Sequence, residues 1–124
     1  MELTPLVPAG RQVIERYAAS GFRVAGVIWH SPILVFPDVT LAWTVRDAAA
    51  LSSASLQPVV EHGDVEILLL GLGRRTATIS RELRAVMRQA GIMVEAMDTG
   101  AACRTYNMLM AEDRRVAAAL IPPV

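Results

Sequence analysis

The sequence has one cysteine, no lysine and few aromatic residues. It also lacks long apolar runs and an excess of basic residues, and these absences exclude several classes of protein. A single cysteine, Cys103, cannot close an internal disulfide, which favours a reducing compartment. No apolar run approaches the roughly 18 residues of a membrane span. The 12 basic residues balance 12 acidic ones, which argues against a general nucleic-acid binder. The sequence therefore predicts a cytoplasmic protein that has no transmembrane segment and binds no nucleic acid.

The chain is apolar enough to bury a hydrophobic core without help from metals or disulfides. Its 124 residues are 53% hydrophobic and fall within the usual size of one domain. Residues 1–11 contain Pro5 and Pro8 and lack a basic segment, which predicts a loose N-terminal arm rather than a signal peptide. We therefore expect a single domain over residues 1–124 that needs no metal, cofactor or disulfide.

The N-terminal half has the pattern of an antiparallel meander. Short apolar segments are separated by glycine and proline, and Gly26 indicates a bulge or bend within one of them. Residues 46–63 are irregular, apart from helical turns near Ala48–Leu51 and Leu56–Glu61. The predicted strands lie near Val13–Tyr17, Phe22–Ile28, Ile33–Phe36 and Leu41–Thr44.

The C-terminal half alternates between strand and helix. The run Glu66–Leu70 is continuously apolar, as in a strand buried on both faces, and Gly71-Leu72-Gly73 is expected to end it. Apolar residues then recur at helical spacing from Ile79 to Ala90, with Thr78 or Ser80 as the cap and Gly91 as the stop. A strand at Ile92–Met97, a helix at about Gly100–Ala111 with Asp98 and Thr99 as its caps, and a strand at Val116–Ile121 follow. Crossovers of this length predict parallel strands, which the N-terminal strands must extend or cover, and hence an α/β domain; a central mixed sheet results where antiparallel strands extend it.

Two loops at the carboxyl ends of these strands form the candidate site. Each is expected to lead into a helix N-terminus, where free backbone N–H groups and the helix dipole favour anions, and the two helix starts are expected to emerge side by side along this edge. Neither loop has the third glycine of a dinucleotide fingerprint or the Lys-Ser/Thr of a P-loop, so the alternative is a pair of ordinary loops with solvated arginines. Arg104 and Asn107 lie within the helix after the second loop, and their roles are open between structural and functional. The candidate residues are Gly71, Gly73, Arg74, Asp98, Thr99, Gly100, Arg104 and Asn107.

Other chemistry-bearing residues are more easily explained as structural. Arg81, Arg84 and Arg88 recur on one helix face, which is either a solvated face or a docking surface for an acidic partner. A nucleophilic cysteine needs a nearby base, and the two histidines lie in loops of the other half, so Cys103 is expected to be an inert thiol. Two histidines and one cysteine are also too few for a zinc site. The sequence therefore predicts no catalytic residue and no metal.

The segment Met97–Asn107, with its Asp-Thr-Gly-Ala-Ala-Cys-Arg-Thr-Tyr-Asn run, resembles a family of small bacterial and archaeal domains of unknown function. The Ser31–Phe36 strand and the Glu66–Gly73 run resemble other landmarks of that family, and the resemblance covers about Gln12–Ile121. A mitochondrial relative of the family is an assembly factor, of type 3, of respiratory complex I (NADH:ubiquinone oxidoreductase). The resemblance implies a three-layer β/β/α-like domain that acts through protein partners, and it carries over no catalytic residue.

Two functions therefore stand as hypotheses. The first is a non-enzymatic interaction domain that assists assembly of a respiratory complex, with complex subunits as partners and a homo-oligomer left open. The second is a site for a small anion or small molecule, enzymatic or not, in the cleft between Gly71–Gly73 and Thr99-Gly100.

Overall fold

The computed structural model describes residues 10–123, which form two β-sheets and three α-helices. The expected loose arm lies almost wholly outside the described residues, which include only Gly10 and Arg11 of it. Arg11 ion-pairs with Asp113 at 3.0 Å and so ties the start of the described chain to the segment after the last helix. Within residues 10–123, none of the helices has the length and apolar character of a membrane span.

The smaller sheet is a three-stranded antiparallel meander from the N-terminal half. Its second and third strands form a hairpin whose turn residues, Ala25 and Gly26, have φ of 48° and 82°. Positive φ at both central residues is typical of the tight turns that match strand twist. The prediction of one bent strand over Phe22–Ile28 was therefore wrong. The strands are β1 (Ile14–Ala18), β2 (Gly21–Val24) and β3 (Val27–Trp29), in that order.

The larger sheet is mixed, as the alternating pattern predicted. Its strands are β4 (Ile33–Val35), β5 (Thr40–Ala42), β6 (Ile67–Leu72), β7 (Met93–Met97) and β8 (Val116–Ile121). Their order is β5-β4-β8-β6-β7, where β6, β7 and β8 are parallel and β4 runs antiparallel to β8. Gly71 lies inside β6 and does not end it, which corrects the expected strand end.

Three helices cover this sheet, and two of them begin at capping residues found from sequence. They are α1 (Gln57–His62), α2 (Arg81–Gln89) and α3 (Thr99–Ala111). Ser80 accepts a hydrogen bond from the Leu83 backbone at 3.1 Å, and Asp98 accepts one from the Ala101 backbone at 2.9 Å. The helical turns expected between residues 46 and 63 are two 3-10 turns followed by α1.

The larger sheet separates two hydrophobic cores, which makes a three-layer domain. Leu68 and Leu70 face the layer of α1 and α2, whereas Leu69 faces the layer of α3 and the smaller sheet. The strand order explains the split. The β6–β7 and β7–β8 crossovers run in opposite directions along the sheet, so right-handed connections place α2 and α3 on opposite faces. The two helix starts therefore do not emerge side by side, which corrects that part of the predicted cleft.

Candidate functional site at the carboxyl edge of the sheet

The two predicted loops do meet at the carboxyl edge, through Thr99. The Thr99 backbone N–H donates to the Gly73 carbonyl at 2.8 Å, and the Gly73 N–H donates to Thr99 Oγ1 at 2.9 Å. The Thr99 hydroxyl in turn donates to the Ile121 carbonyl at 2.7 Å, and its side chain is fully buried. One buried threonine therefore fastens the start of α3 to the ends of β6 and β8, and the amides of Gly73 and Thr99 have partners within the protein.

Two glycines let α3 approach its neighbours closely. A Cβ on Gly71 would lie 2.9 Å from the Thr99 Cα, and a Cβ on Gly100 would lie 2.7 Å from the Tyr17 hydroxyl. Contacts under 3.0 Å force something to move, and the Thr99 backbone has little freedom to do so. Helix packing therefore requires a glycine at Gly71, whereas a Cβ at Gly100 would displace the Tyr17 side chain.

Arg104 and Asn107 join α3 to the smaller sheet. Arg104 donates to the Tyr17 hydroxyl at 2.8 Å. Asn107 accepts from the Ile14 N–H at 3.0 Å and donates to the Ile14 carbonyl at 2.8 Å, so its amide pairs with the outer edge of β1 as another strand would. This bidentate pairing explains an asparagine in the middle of a helix, where the residue is otherwise unfavourable.

Beside the Gly73–Thr99 junction lies an open depression of about 700 Å³. Gly73 and Arg74 line it, together with Arg75 and with Arg46 from the other half of the chain. Within residues 10–123, neither Arg74 nor Arg75 has an ion-pair partner. Anion binding at this edge remains a prediction, and these arginines are the groups that would carry it.

Sequence reasoning missed the contribution of the N-terminal half to this edge. Arg46 follows β5 and lines the depression, and His30 precedes β4 and lines a smaller one next to it. Antiparallel pairing of β4 with β8 brings the start of β4 to the carboxyl end of β8, where Ile33 pairs with Leu120. The sequence carries no local signal for that pairing, so neither residue could be placed from it.

Cys103 and the two histidines form no catalytic group. Cys103 is buried, and burial raises the pKa of its thiol from 9.0 to about 12, so it stays protonated at neutral pH. His62 stacks on Phe36 and bonds Asp38 at 2.8 Å, whereas His30 bonds the Ser20 carbonyl at 3.1 Å. Among the residues the structure describes, no cluster of histidine, cysteine and carboxylate side chains could hold a metal ion.

The arginine row on α2 is divided in its roles. Arg84 donates to the Val94 carbonyl at 2.6 Å, which covers an edge position of β7, while Arg81 and Arg88 are exposed. Arg84 therefore has a structural contact, and the two interpretations of the row, a solvated face and a docking surface, apply to Arg81 and Arg88.

The two tryptophans have different surroundings. Trp43 is buried and donates to the Ser55 carbonyl at 2.8 Å, whereas Trp29 is half-buried in the edge strand β3.

Comparison with known proteins identifies relatives over almost the whole folded region. A family model described as "Protein of unknown function (DUF498/DUF598)" matches residues 14–121. The NADH dehydrogenase (ubiquinone) 1 alpha subcomplex assembly factor 3 of Danio rerio is 40% identical over 113 residues, or 90% of this chain and 64% of that protein. The Homo sapiens protein of the same name is 37% identical over 112 residues, or 89% of this chain and 60% of its own length. The chain thus spans less than two thirds of these relatives.

A relative of similar length and several solved structures complete the comparison. An uncharacterized protein of Rhodobacter capsulatus is 36% identical, with 92% of this chain and 87% of that protein covered. A Bordetella parapertussis crystal structure is 37% identical with a TM-score of 0.85, covering 93% of this chain and 99% of that one. A Bordetella pertussis solution structure, described as an Mth938-like domain, is 29% identical with a TM-score of 0.84, covering 98% and 92%. The chain therefore belongs to the DUF498/DUF598 family and has the Mth938-like mixed α/β fold.

Proposed function

We propose that this protein is a non-enzymatic interaction domain that assists assembly of a respiratory complex of the NADH:ubiquinone oxidoreductase type. The observation that carries the proposal is the match to proteins named as assembly factors of that complex, at 37–40% identity over about nine tenths of this chain. The matched region includes both sheets and α3, so the shared part is the folded unit itself.

The state of the polar side chains supports an interaction role. Burial raises the pKa of both Cys103 and Tyr106 well above their ordinary values, and the Tyr106 hydroxyl donates to the Gln12 carbonyl at 2.8 Å. Thr99 and Asn107 likewise bond to backbone groups of neighbouring strands. These groups stabilise the fold and are poorly suited to acid–base or nucleophilic chemistry, which needs accessible groups that titrate near neutral pH.

Deletion of the gene in the native host tests the proposal. We expect membranes of the deletion strain to contain less assembled NADH:ubiquinone oxidoreductase, measured by native electrophoresis and by NADH oxidation, and the wild-type gene to restore it. A second respiratory enzyme assayed in the same membranes is the control for general membrane damage. Unchanged levels of the assembled complex in the deletion strain would contradict the proposal.

Binding of a small anion or small molecule is the second candidate function. Arg74 and Arg75 beside Gly73, which have no ion-pair partner within residues 10–123, favour it. Thermal unfolding with inorganic phosphate, nucleotides and dicarboxylates tests it, because a ligand that binds only the folded state raises the midpoint. We expect Arg74→Gln to remove any such rise. Identical melting curves in all ligands at millimolar concentration would exclude this candidate for the compounds used.

A further inference from the structure

A row of adjoining depressions runs from the smaller sheet to the carboxyl edge of the larger one. The first holds about 70 Å³ beside β3, the second about 190 Å³, and the third is the depression of about 700 Å³ described above. His30 lines both the first and the second, whereas Arg46 and Pro122 line both the second and the third. We call this row the arginine groove. Shared lining residues join the three depressions in series, which suits an extended chain better than a compact ligand.

The charge of the arginine groove is strongly one-sided, although the protein as a whole is neutral. Within the described part of the chain, Asp47 is the only carboxylate that lines it, and Asp47 accepts a hydrogen bond from the Ala50 backbone at 3.2 Å. Five arginines line the groove, and among residues 10–123 only one of them ion-pairs, at 3.4 Å with Glu15. They are Arg16, Arg23, Arg46, Arg74 and Arg75.

Two of these arginines are held together by the sheet itself. Arg16 and Arg23 are directly opposed across β1 and β2. Like charges that face each other across a strand pair repel, and Glu15, 3.4 Å from Arg23, compensates only one of the two. A negatively charged partner group placed between them would relieve the repulsion. The groove therefore has charge complementarity to carboxylates.

Among residues 10–123, the groove starts at an edge strand, β3, that lacks the side-chain hydrogen bonds made to the edge strands β1 and β7. Asn107 bonds the outer edge of β1, and Arg84 bonds the Val94 carbonyl on the edge strand β7. Within residues 10–123, no side-chain hydrogen bond reaches the backbone of β3, whose Val27 and Ile28 are 55% and 64% exposed. An exposed edge of this kind can pair with an added strand.

We propose that the arginine groove binds an extended acidic segment of a partner protein, which adds to the edge of β3 and places its carboxylates on the arginines. The inference rests on the proposed function and names the chemistry of its partner. Ile28, Pro32 and Ile121 also line the groove and provide apolar contact area for the chain that carries the carboxylates. The zero net charge of the protein favours a protein segment over a nucleic acid, whose binders carry a basic excess.

A synthetic probe tests the groove directly. It is a fluorescent peptide of about twelve residues that alternates glutamate, for the arginines, with threonine, for strand propensity. The matched control peptide carries glutamine in place of glutamate. By fluorescence anisotropy in low salt, we expect saturable binding of the acidic peptide and at least about tenfold weaker binding of the glutamine peptide. Tenfold more salt shortens the screening length about threefold and should weaken acidic-peptide binding strongly.

Paired variants locate the binding. The double variant Arg46→Gln, Arg74→Gln should weaken acidic-peptide binding about fivefold, because each exposed charge contributes about two- to threefold. The matched control, Arg81→Gln, Arg88→Gln, removes the same charge outside the groove and should change binding less than twofold. Both pairs are exposed, so circular dichroism should show both variants folded.

Several results would overturn the inference. It fails if the acidic peptide does not bind below about 1 mM, or if both double variants weaken binding equally. It also fails if single-stranded RNA of similar length, or vesicles of phosphatidylglycerol, bind more tightly with the same dependence on Arg46 and Arg74.

The deletion strain separates this inference from the proposed function. Full rescue by the Arg46→Gln, Arg74→Gln variant would refute the groove while leaving the assembly role intact. An unchanged complex in the deletion strain would instead refute the assembly role.

Discussion

Replacing Asn107 with alanine tests whether the polar cluster of α3 fastens the two halves of the domain. The Asn107 amide makes two hydrogen bonds, of 3.0 and 2.8 Å, to the backbone of Ile14, and Ile14 is fully buried. Removing the amide leaves an N–H and a C=O without partners, at a cost of about 1–3 kcal/mol each. Alanine favours the helix by about 0.5 kcal/mol over asparagine, and water can reach part of the site.

We therefore expect Asn107→Ala to lower the free energy of unfolding by about 2–4 kcal/mol. For a domain of this size, the midpoint of thermal unfolding should fall by roughly 10 °C. Urea and thermal unfolding followed by circular dichroism measure both quantities. Met108→Ala, at the exposed neighbouring position, is the control and should stay within about 0.5 kcal/mol of the wild type. An Asn107→Ala protein as stable as the control would refute this account of the cluster.

The other predictions concern packing, pH and an edge strand. Gly71→Ala should destabilise the fold by about 3 kcal/mol in urea unfolding, because the alanine Cβ would lie 2.9 Å from the Thr99 backbone. An unchanged free energy of unfolding would show that α3 can shift. Because burial raises the pKa of Cys103 from 9.0 to about 12, its contribution to stability is complete below pH 9 and is lost toward pH 12. Unfolding of Cys103→Ala should therefore depend less on pH above 9 than that of the wild type, and equal slopes would contradict the raised pKa. Arg84→Ala should leave the Val94 carbonyl without its partner, cost about 1 kcal/mol and promote self-association in sedimentation, whereas an unchanged sedimentation coefficient would show that β7 needs no such protection.

The C-terminal half could be predicted from sequence because its signals are local. The continuous apolar run of β6, the helical spacing of α2 and α3, and the caps at Ser80 and Asp98 each lie within a few residues. These local signals also agree with the right-handed crossover rule, which fixes the parallel strands. The recognition of the family on the Met97–Asn107 segment is confirmed by the match over residues 14–121.

Apart from the unrecognised Ala25-Gly26 turn, which is local, the errors came from pairings that join distant parts of the chain. Gly71 was expected to end β6, but it is a glycine because α3 passes over it, which depends on the turn at Thr99. The placement of α2 and α3 on opposite faces depends on strand order, which no single segment encodes. Arg46 and His30 reach the candidate edge only through the pairing of β4 with β8.

Within the candidate site, the residues of the Thr99–Asn107 segment stabilise the fold, whereas Arg74 is the residue that could bind a ligand. Asn107 was singled out because asparagine is unfavourable within a helix, and Thr99 because it precedes a helix, and the structure gives each a backbone partner. Arg74 was found in the loop after β6, and it has no ion-pair partner among residues 10–123. A polar residue that is unfavourable in its helix thus indicated a tertiary contact, whereas a ligand or partner for Arg74 stays a prediction.

The most direct test of the central claim is the size of the complexes that contain this protein in its host. An assembly factor binds subunits before the complex is finished, so the epitope-tagged chain should migrate with subunits of NADH:ubiquinone oxidoreductase in native electrophoresis. Those assemblies should be smaller than the finished complex, and the finished complex should lack the tagged chain. Migration only as a free protein of 13.4 kDa, or with no subunit of that enzyme, would contradict the account.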